Sequence, residues 1–114
     1  MTPTATVQII GSRGSVTLDA IIDTGFDGDL SIPITIAVNL GLELEGEEYF
    51  ELADGTQTRE LLFAGRASLA GRVRKAHILV SKSQDTLVGT RLLSGCELSI
   101  SFPSGKARIR RKEK

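Results

Sequence analysis

The sequence predicts an all-β domain, a closed β-barrel or sandwich of seven or eight short strands with one or two short helices. Apolar residues recur at every second position in several segments, as in strands with one buried face. These segments are separated by turn signals rich in glycine, of which the chain has 12 among 114 residues. The few aromatic residues indicate a core made mainly of Val, Ile, Leu and Ala.

The first third of the chain predicts two strands and one short helix. Thr6–Ile10 alternates, and residues 11–15 supply a turn. The next strand ends near Asp23 and places four apolar residues on one face: Val16, Leu18, Ala20 and Ile22. A short helix is expected over residues 33–40, because proline is tolerated in a first helical turn and Gly41 follows the last one.

The middle of the chain predicts a β-hairpin followed by two more strands. Tyr49–Leu52 and Thr58–Phe63 flank Ala53-Asp54-Gly55-Thr56, and Asp-Gly favours a tight hairpin turn since both residues tolerate positive φ. Two alternating sets then follow on either side of Gly71: Phe63, Ala67 and Leu69, and Ala76, Ile78 and Val80.

The last part of the chain predicts further strands and a charged end. Residues 87–93 are expected to carry a buried strand into one helical turn, and an alternating strand follows at Leu98, Ile100 and Phe102. Residues 103–105 turn the chain back. The basic segment 106–114 is interpreted as a frayed, solvated tail, with weak contact to a polyanion as the alternative. Residues 1–114 form a single domain, without repeats or a linker.

Composition narrows the function classes. The 14 basic and 14 acidic side chains cancel, which argues against a general nucleic-acid or membrane-surface binder. One cysteine, Cys96, cannot form an internal disulfide, and one Cys with one His predicts no metal cluster. The first residues lack the basic and apolar regions of a signal peptide. We therefore expect a soluble, cytoplasmic protein.

The segment most informative about chemistry is Ala20-Ile21-Ile22-Asp23-Thr24-Gly25. An apolar strand delivers the carboxylate of Asp23 to its end, Gly25 allows a sharp turn, and the Thr24 hydroxyl can brace the loop. An Asx-type turn, in which Asp23 merely caps its own backbone, is the alternative interpretation of the tripeptide.

In context, the segment resembles the active-site loop of the retropepsin-like aspartic proteases, in particular the bacterial and archaeal branch with Asp-Thr-Gly-Phe-x-Gly-x-Leu-x-x-Pro. That pattern reads Asp23 to Pro33 in this sequence. Leu87-Val88-Gly89-Thr90-Arg91-Leu92-Leu93 resembles the family element that packs behind the catalytic loop, and the hairpin at Leu52 to Thr56 is similar in position to the family's flap. The resemblance covers roughly residues 6–102.

The resemblance implies an aspartic endopeptidase that works as a C2 homodimer without cofactor or metal. Two carboxylates share one proton: the ionised one activates water, and the protonated one polarises the scissile carbonyl of an extended peptide. This chain has one Asp-Thr-Gly and is short for two lobes, so a twofold axis must bring Asp23 to face its copy.

The resemblance also implies the roles of individual residues. Asp23 is the catalytic carboxylate, Thr24 bonds across the dimer axis, and Gly25 leaves room for substrate. The expected substrate-binding residues are Phe26, Asp27, Gly28, Asp54, Gly55, Thr56, Val88 and Gly89. For Asp27 and Asp29, loop solvation and contact with the substrate backbone are equally favoured.

Two isolated residues have ordinary structural interpretations. His77 lies on the polar side of an alternating strand, and we expect it to be solvated or hydrogen-bonded rather than catalytic. Cys96 is expected to be a small buried thiol.

Two other functions compete with proteolysis. One is a non-catalytic peptide-binding module with the same dimeric β fold. The other is a small barrel that binds nucleic acid through the basic tail, which the neutral net charge and scarce aromatics oppose.

Overall fold

The computed structural model describes residues 2–112, which form nine strands and one short helix. The elements are β1 Thr4–Ile10, β2 Ser15–Ile22, β3 Leu30–Pro33, α1 Ile34–Ala37, β4 Glu43–Glu51, β5 Gln57–Leu69, β6 Arg72–Ser81, β7 Leu87–Val88, β8 Cys96–Ser101 and β9 Lys106–Arg111. The predicted all-β class is confirmed. Within residues 2–112, no helix has the length and apolar character needed to cross a membrane.

Seven of the strands form one sheet that closes partly on itself. Its order is β1-β2-β7-β3-β6-β5-β4, and β1 also pairs with β5, so six strands complete a ring and β4 extends outside it. Strands β8 and β9 form a separate antiparallel pair. Closure between β1 and β5 leaves fewer exposed strand edges than an open sheet would.

The core lies inside this ring, and the predicted alternation builds it. Val7 and Ile9 of β1 are fully buried, and so is Ile78 of β6. In β2 the buried residues Ala20 and Ile22 share a face, as their spacing predicts. These side chains belong to one continuous cluster, which supplies the main apolar burial that stabilises the fold.

The most consequential pairing is that of the two-residue strand β7. It pairs in parallel with β2 and antiparallel with β3, so a strand from late in the chain separates two early strands. The loop of residues 23–29, which connects β2 to β3, must therefore cross the end of β7. This arrangement fixes the segment that carries Asp23.

The helix and several strands have different bounds in the structure from those that the sequence predicts. The helix spans only Ile34–Ala37, because Pro33 belongs to β3 and Gly41, at φ 71°, ends the following turn. Strand β3 has no counterpart among the predicted strands. The hairpin strands are longer than predicted, since β5 runs unbroken through 13 residues from the hairpin to Leu69.

The end of the chain differs more clearly from the predictions. Lys106–Arg111 is strand β9 and not a frayed tail, because Ala107 and Ile109 pack against the core while the strand pairs with β8. Phe102 lies past the end of β8 and is 75% exposed, so it does not continue that strand's inner face. By contrast, the predicted passage from a strand into one helical turn is present: after Leu87–Val88, the N–H of Leu93 donates to the carbonyl of Gly89 at 3.4 Å, and residues 90–95 form turns. Residues 113 and 114 of the predicted tail lie outside the described residues.

Candidate functional site

Asp23 lies directly after β2 with its side chain half-buried. Its backbone N–H donates to the carbonyl of Val88 at 3.0 Å, and its Oδ1 accepts the backbone N–H of Gly25 at 3.0 Å. The Asx turn that the sequence left open is therefore present. It uses one carboxylate oxygen, and no side-chain hydrogen bond engages Oδ2 within residues 2–112.

Backbone hydrogen bonds hold the loop of residues 23–29 from behind. The N–H of Thr90 donates to the carbonyl of Phe26 at 2.8 Å, and the N–H of Arg91 donates to that of Gly28 at 3.1 Å. The N–H of Gly89 donates to the carbonyl of Asp29 at 3.0 Å. These bonds satisfy polar groups that the closely packed loop would otherwise bury without partners.

The loop approaches this segment so closely that residue 89 must be glycine. A Cβ at Gly89 would lie 2.3 Å from the carbonyl oxygen of Gly28 and 2.7 Å from that of Phe26. Both are backbone atoms, which cannot move aside as a flexible side chain could. The segment of residues 87–93 thus fixes how close to it the loop of residues 23–29 can lie.

A cavity of about 540 Å³ opens above Asp23. Its floor includes the loop residues Asp23, Gly25, Phe26 and Asp27, and its opposite wall includes Phe50, Leu52 and Thr58 of the β4–β5 hairpin. Phe50 and Thr58 are direct cross-strand partners, so their side chains share the inner face of the hairpin. A hairpin therefore covers the carboxylate that ends β2.

The side chains at the tip of the hairpin form hydrogen bonds within the turn itself. Oδ1 of Asp54 accepts hydrogen bonds from the backbone N–H of Thr56 at 3.0 Å and from its hydroxyl at 2.7 Å. The Thr56 hydroxyl, followed by the backbone N–H, lowers the pKa of Asp54. Gly55 has a φ of 86°, a conformation that glycine adopts without a steric penalty. All three residues are exposed, and none lines the two cavities of the site.

A second cavity of about 300 Å³ adjoins the first. The two share four lining residues: Phe26, Asp27, Phe50 and Leu79. The smaller cavity is also lined by Gly28, Asp29, Glu48, Leu62, His77 and Arg91. Together the two cavities form a groove between the loop and the hairpin, and Asp23 lines only the larger one.

The two aspartates next to Gly28 have different environments. Asp27 is exposed and lines both cavities. Asp29 is only 4% exposed, and its Oδ2 accepts the backbone N–H of His77 at 2.9 Å. That bond lies one residue before the parallel pair of Leu30 and Ile78, so the carboxylate extends the β3–β6 ladder. The solvation interpretation is wrong for Asp29.

Of the other predicted site residues, some line the groove and some do not. Phe26, Asp27 and Gly28 line the groove, as does Gly25. Thr24 is exposed and lines neither cavity. Val88 is 0% exposed and Gly89 is buried, so their expected contact with a ligand is corrected to support of the loop from behind.

The sequence did not reveal the inner face of the hairpin or Leu79 of β6 as parts of the site. Phe50, Glu60 and Leu79 line the larger cavity, and Phe50 and Leu79 the smaller one too. Burial raises the pKa of the half-buried Glu60 carboxyl. The alternation of Thr58, Glu60 and Leu62 around the Asp-Gly turn was a usable signal, because every second residue of a hairpin strand faces the same side.

The isolated His and Cys behave largely as expected. His77 is exposed, and its Nδ1 lies 3.1 Å from Oε1 of Glu45, which confirms the hydrogen-bonded interpretation. Cys96 is half-buried at the start of β8, with its sulfur 4.0 Å from Nη2 of Arg72.

The site thus offers one half-buried carboxylate at the floor of a covered groove, with further carboxylates around it. Such a group can accept a proton from water, or hydrogen-bond a ligand, according to what is placed opposite it. A scan against protein-family models gives no match, and a search of curated proteins gives none either.

Proposed function

We propose that this protein is an aspartic endopeptidase that hydrolyses peptide bonds with a water activated between the Asp23 carboxylates of a homodimer. The observation that carries the proposal is the position of Asp23. Its carboxylate sits at the floor of a 540 Å³ cavity beneath a hairpin, with one oxygen held in a turn. The Asp-Thr-Gly-Phe resemblance to retropepsin-like proteases supplies the reaction type.

A second copy of the chain completes the chemistry. Each Asp23 loop would bring its carboxylate to the twofold axis, where one ionised group takes a proton from water and its protonated partner polarises the scissile carbonyl. The exposed Thr24 lies next to the carboxylate, at a position from which its hydroxyl could reach the partner copy. The backbone bonds behind residues 26–29 hold the loop in place during the reaction.

The hairpin would close over an extended peptide. Phe50 and Leu52 offer apolar contact to substrate side chains, and closure of the hairpin would exclude bulk water from the reacting carbonyl. The hairpin ends in an exposed turn, which leaves it free to move toward a bound peptide.

The test is the variant Asp23→Asn assayed on a mixed peptide library between pH 3 and pH 7. We expect wild-type cleavage with a bell-shaped pH profile and a loss of about 1,000-fold or more in the variant, because an amide cannot take the proton from water. Asp19→Asn is the matched control, since Asp19 is an exposed carboxylate on the same strand. Equal cleavage by wild type and Asp23→Asn would refute the role of Asp23.

The second candidate function is peptide binding without cleavage. It is favoured by the Asx turn, which gives Asp23 a structural role that needs no catalysis. Sedimentation analysis with and without a statine-containing peptide, combined with the cleavage assay, separates the candidates. A dimer that binds the peptide and cleaves nothing is the binding module, whereas a monomer under all conditions excludes the shared dyad.

A further inference from the structure

We infer that the smaller cavity is a subsite for a basic side chain, lysine or arginine, of the bound peptide, and that Asp29 is its principal acceptor. The inference rests on the proposed function in so far as that function places a peptide in the groove. It adds the substrate class and the residues that select it.

The first observation is an unpartnered buried oxygen. Asp29 is 4% exposed, and its Oδ2 is bound to the backbone N–H of His77. Its Oδ1 is buried and has no hydrogen-bond partner within residues 2–112. A buried carboxylate oxygen without a donor costs on the order of 1–3 kcal/mol. Because Asp29 lines the cavity, the N–H group of a ligand would supply the missing donor once a small movement of the surrounding side chains uncovers this oxygen.

The second observation is the charge around this cavity. Within residues 2–112, Asp27, Asp29 and Glu48 line it, and the one permanent cation there is Arg91. His77 also lines it, and its Nδ1 lies 3.1 Å from the carboxylate of Glu45. Although the whole chain carries no net charge, this corner of the groove is acidic. A partly enclosed acidic site favours a cationic group.

The third observation is the character of the walls. Phe26, Phe50, Leu62 and Leu79 line the cavity that Asp29 borders. Lysine and arginine have an apolar stem and a charged end, so the stem can pack on these side chains while the head group reaches the carboxylates. Neither a purely apolar nor an acidic side chain satisfies both the walls and the unpartnered oxygen.

The position of the cavity indicates which substrate residue it takes. It shares Phe26, Asp27, Phe50 and Leu79 with the cavity above Asp23 but does not include Asp23 itself. The basic side chain therefore belongs to a residue removed from the scissile bond and not to either residue that flanks it.

Peptide binding to the Asp23→Asn protein tests this without cleavage. Four fluorescent peptide sets carry lysine, norleucine, arginine or citrulline at each position in turn, and their affinities are measured by anisotropy. At one position we expect lysine to bind at least about tenfold tighter than norleucine, and arginine tighter than citrulline, as for a charged hydrogen bond in a partly buried site. Equal affinities at every position would overturn the inference.

Three further variants identify the acceptor. Asp29→Asn keeps an oxygen for the His77 N–H but removes the charge, so the ratio of lysine affinity to norleucine affinity should fall to about twofold. Glu48→Gln, an exposed position that cannot disturb the core, should reduce the preference about threefold. Glu47→Gln lies next to Glu48 on the opposite face of β4 and should leave the preference intact. A preference that survives both Asp29→Asn and Glu48→Gln would overturn the assignment.

Failure of the proposed subsite can be distinguished from failure of the proposed protease function. If the wild-type protein cleaves peptides without any preference for lysine or arginine, the subsite is wrong and the protease stands. If it cleaves nothing but binds basic peptides with the expected dependence on Asp29, the subsite stands and the protease is wrong.

Discussion

The loop of residues 23–29 and the hairpin formed by β4 and β5 are opposite walls of one groove, but they are held in different ways. The loop packs on β7 and the turn after it, with four backbone hydrogen bonds and a contact at Gly89 too close for any other residue. The hairpin has its strand ladder, and its tip at residues 51–57 is entirely exposed. One wall is fixed by tertiary packing and the other by local pairing.

The difference suits the two tasks of a peptide-cleaving site. A catalytic carboxylate must be placed to within a fraction of an ångström, which requires a support with few alternative arrangements. A covering hairpin must open and close, which requires few buried contacts at its tip. The contrast yields four predictions on the two walls, in addition to those on Asp23 and Asp29.

The largest effect is expected for Gly89→Ala, in the support of the loop. The added Cβ would meet the backbone oxygens of Gly28 and Phe26, so we expect the free energy of unfolding to fall by about 3 kcal/mol. Urea denaturation followed by circular dichroism measures this change.

The matched variant in the hairpin is Gly55→Ala. Its added Cβ meets nothing within 4 Å, and only the positive φ of 86° is unfavourable, so we expect a loss of about 1 kcal/mol. If the two variants lose equal stability, the loop is not the more tightly held wall.

An intermediate effect is expected for Glu60→Gln on the inner face of the hairpin. Burial raises the pKa of Glu60 above its ordinary value of 4.5, so the folded protein holds this proton more tightly than the unfolded chain. The stabilisation is complete below pH 4.5 and is lost as pH rises through the folded pKa. The variant, which is neutral throughout, should therefore gain stability relative to wild type between pH 4 and pH 7.

Thermal denaturation of both proteins at several pH values measures this gain. The exposed carboxylate of Glu51, on the neighbouring strand, provides the control variant Glu51→Gln. A difference between Glu60→Gln and wild type that is independent of pH would contradict the buried state of Glu60.

The smallest effect is expected at the tip. Because the Thr56 hydroxyl and backbone N–H lower the pKa of Asp54 below its ordinary 3.8, the turn is stabilised above pH 3.8 and loses this stabilisation as pH falls through the lowered value. Thr56→Val removes the hydroxyl donor and should move the pKa of Asp54 part of the way back. Carbon-13 NMR titration of the carboxyl group reports it, and identical titration curves would show that the hydroxyl bond does not form in solution.

Much of the fold could be predicted because its signals are local. Spacing by two along β2 and β6 identified strands whose inner residues are buried, and Asp54-Gly55 identified the hairpin. The helix after Pro33 was predicted too long because the same proline closes a strand. The charges of residues 106–114 predict a solvated tail, but Ala107 and Ile109, which lie between those charges, contact the core.

The candidate site was predictable only in part. Asp23, Phe26 and Asp27 were identified because they follow one another along the chain. The other wall, with Phe50 and Leu79, depends on strand pairings between distant segments. The burial of Asp29 was missed for the same reason, since its partner is the backbone of His77, 48 residues away.

The sequence by itself determined the all-β class, the inner faces of most strands and the placement of an aspartate at the end of an apolar strand, because alternation and turn chemistry act between near neighbours. Only the tertiary structure decided that β7 lies between β2 and β3 and that the hairpin covers Asp23. It also decided that Asp29 is buried with one oxygen that has no hydrogen-bond partner among residues 2–112. Those outcomes depend on which distant segments bury each other's apolar surface and satisfy each other's backbone groups.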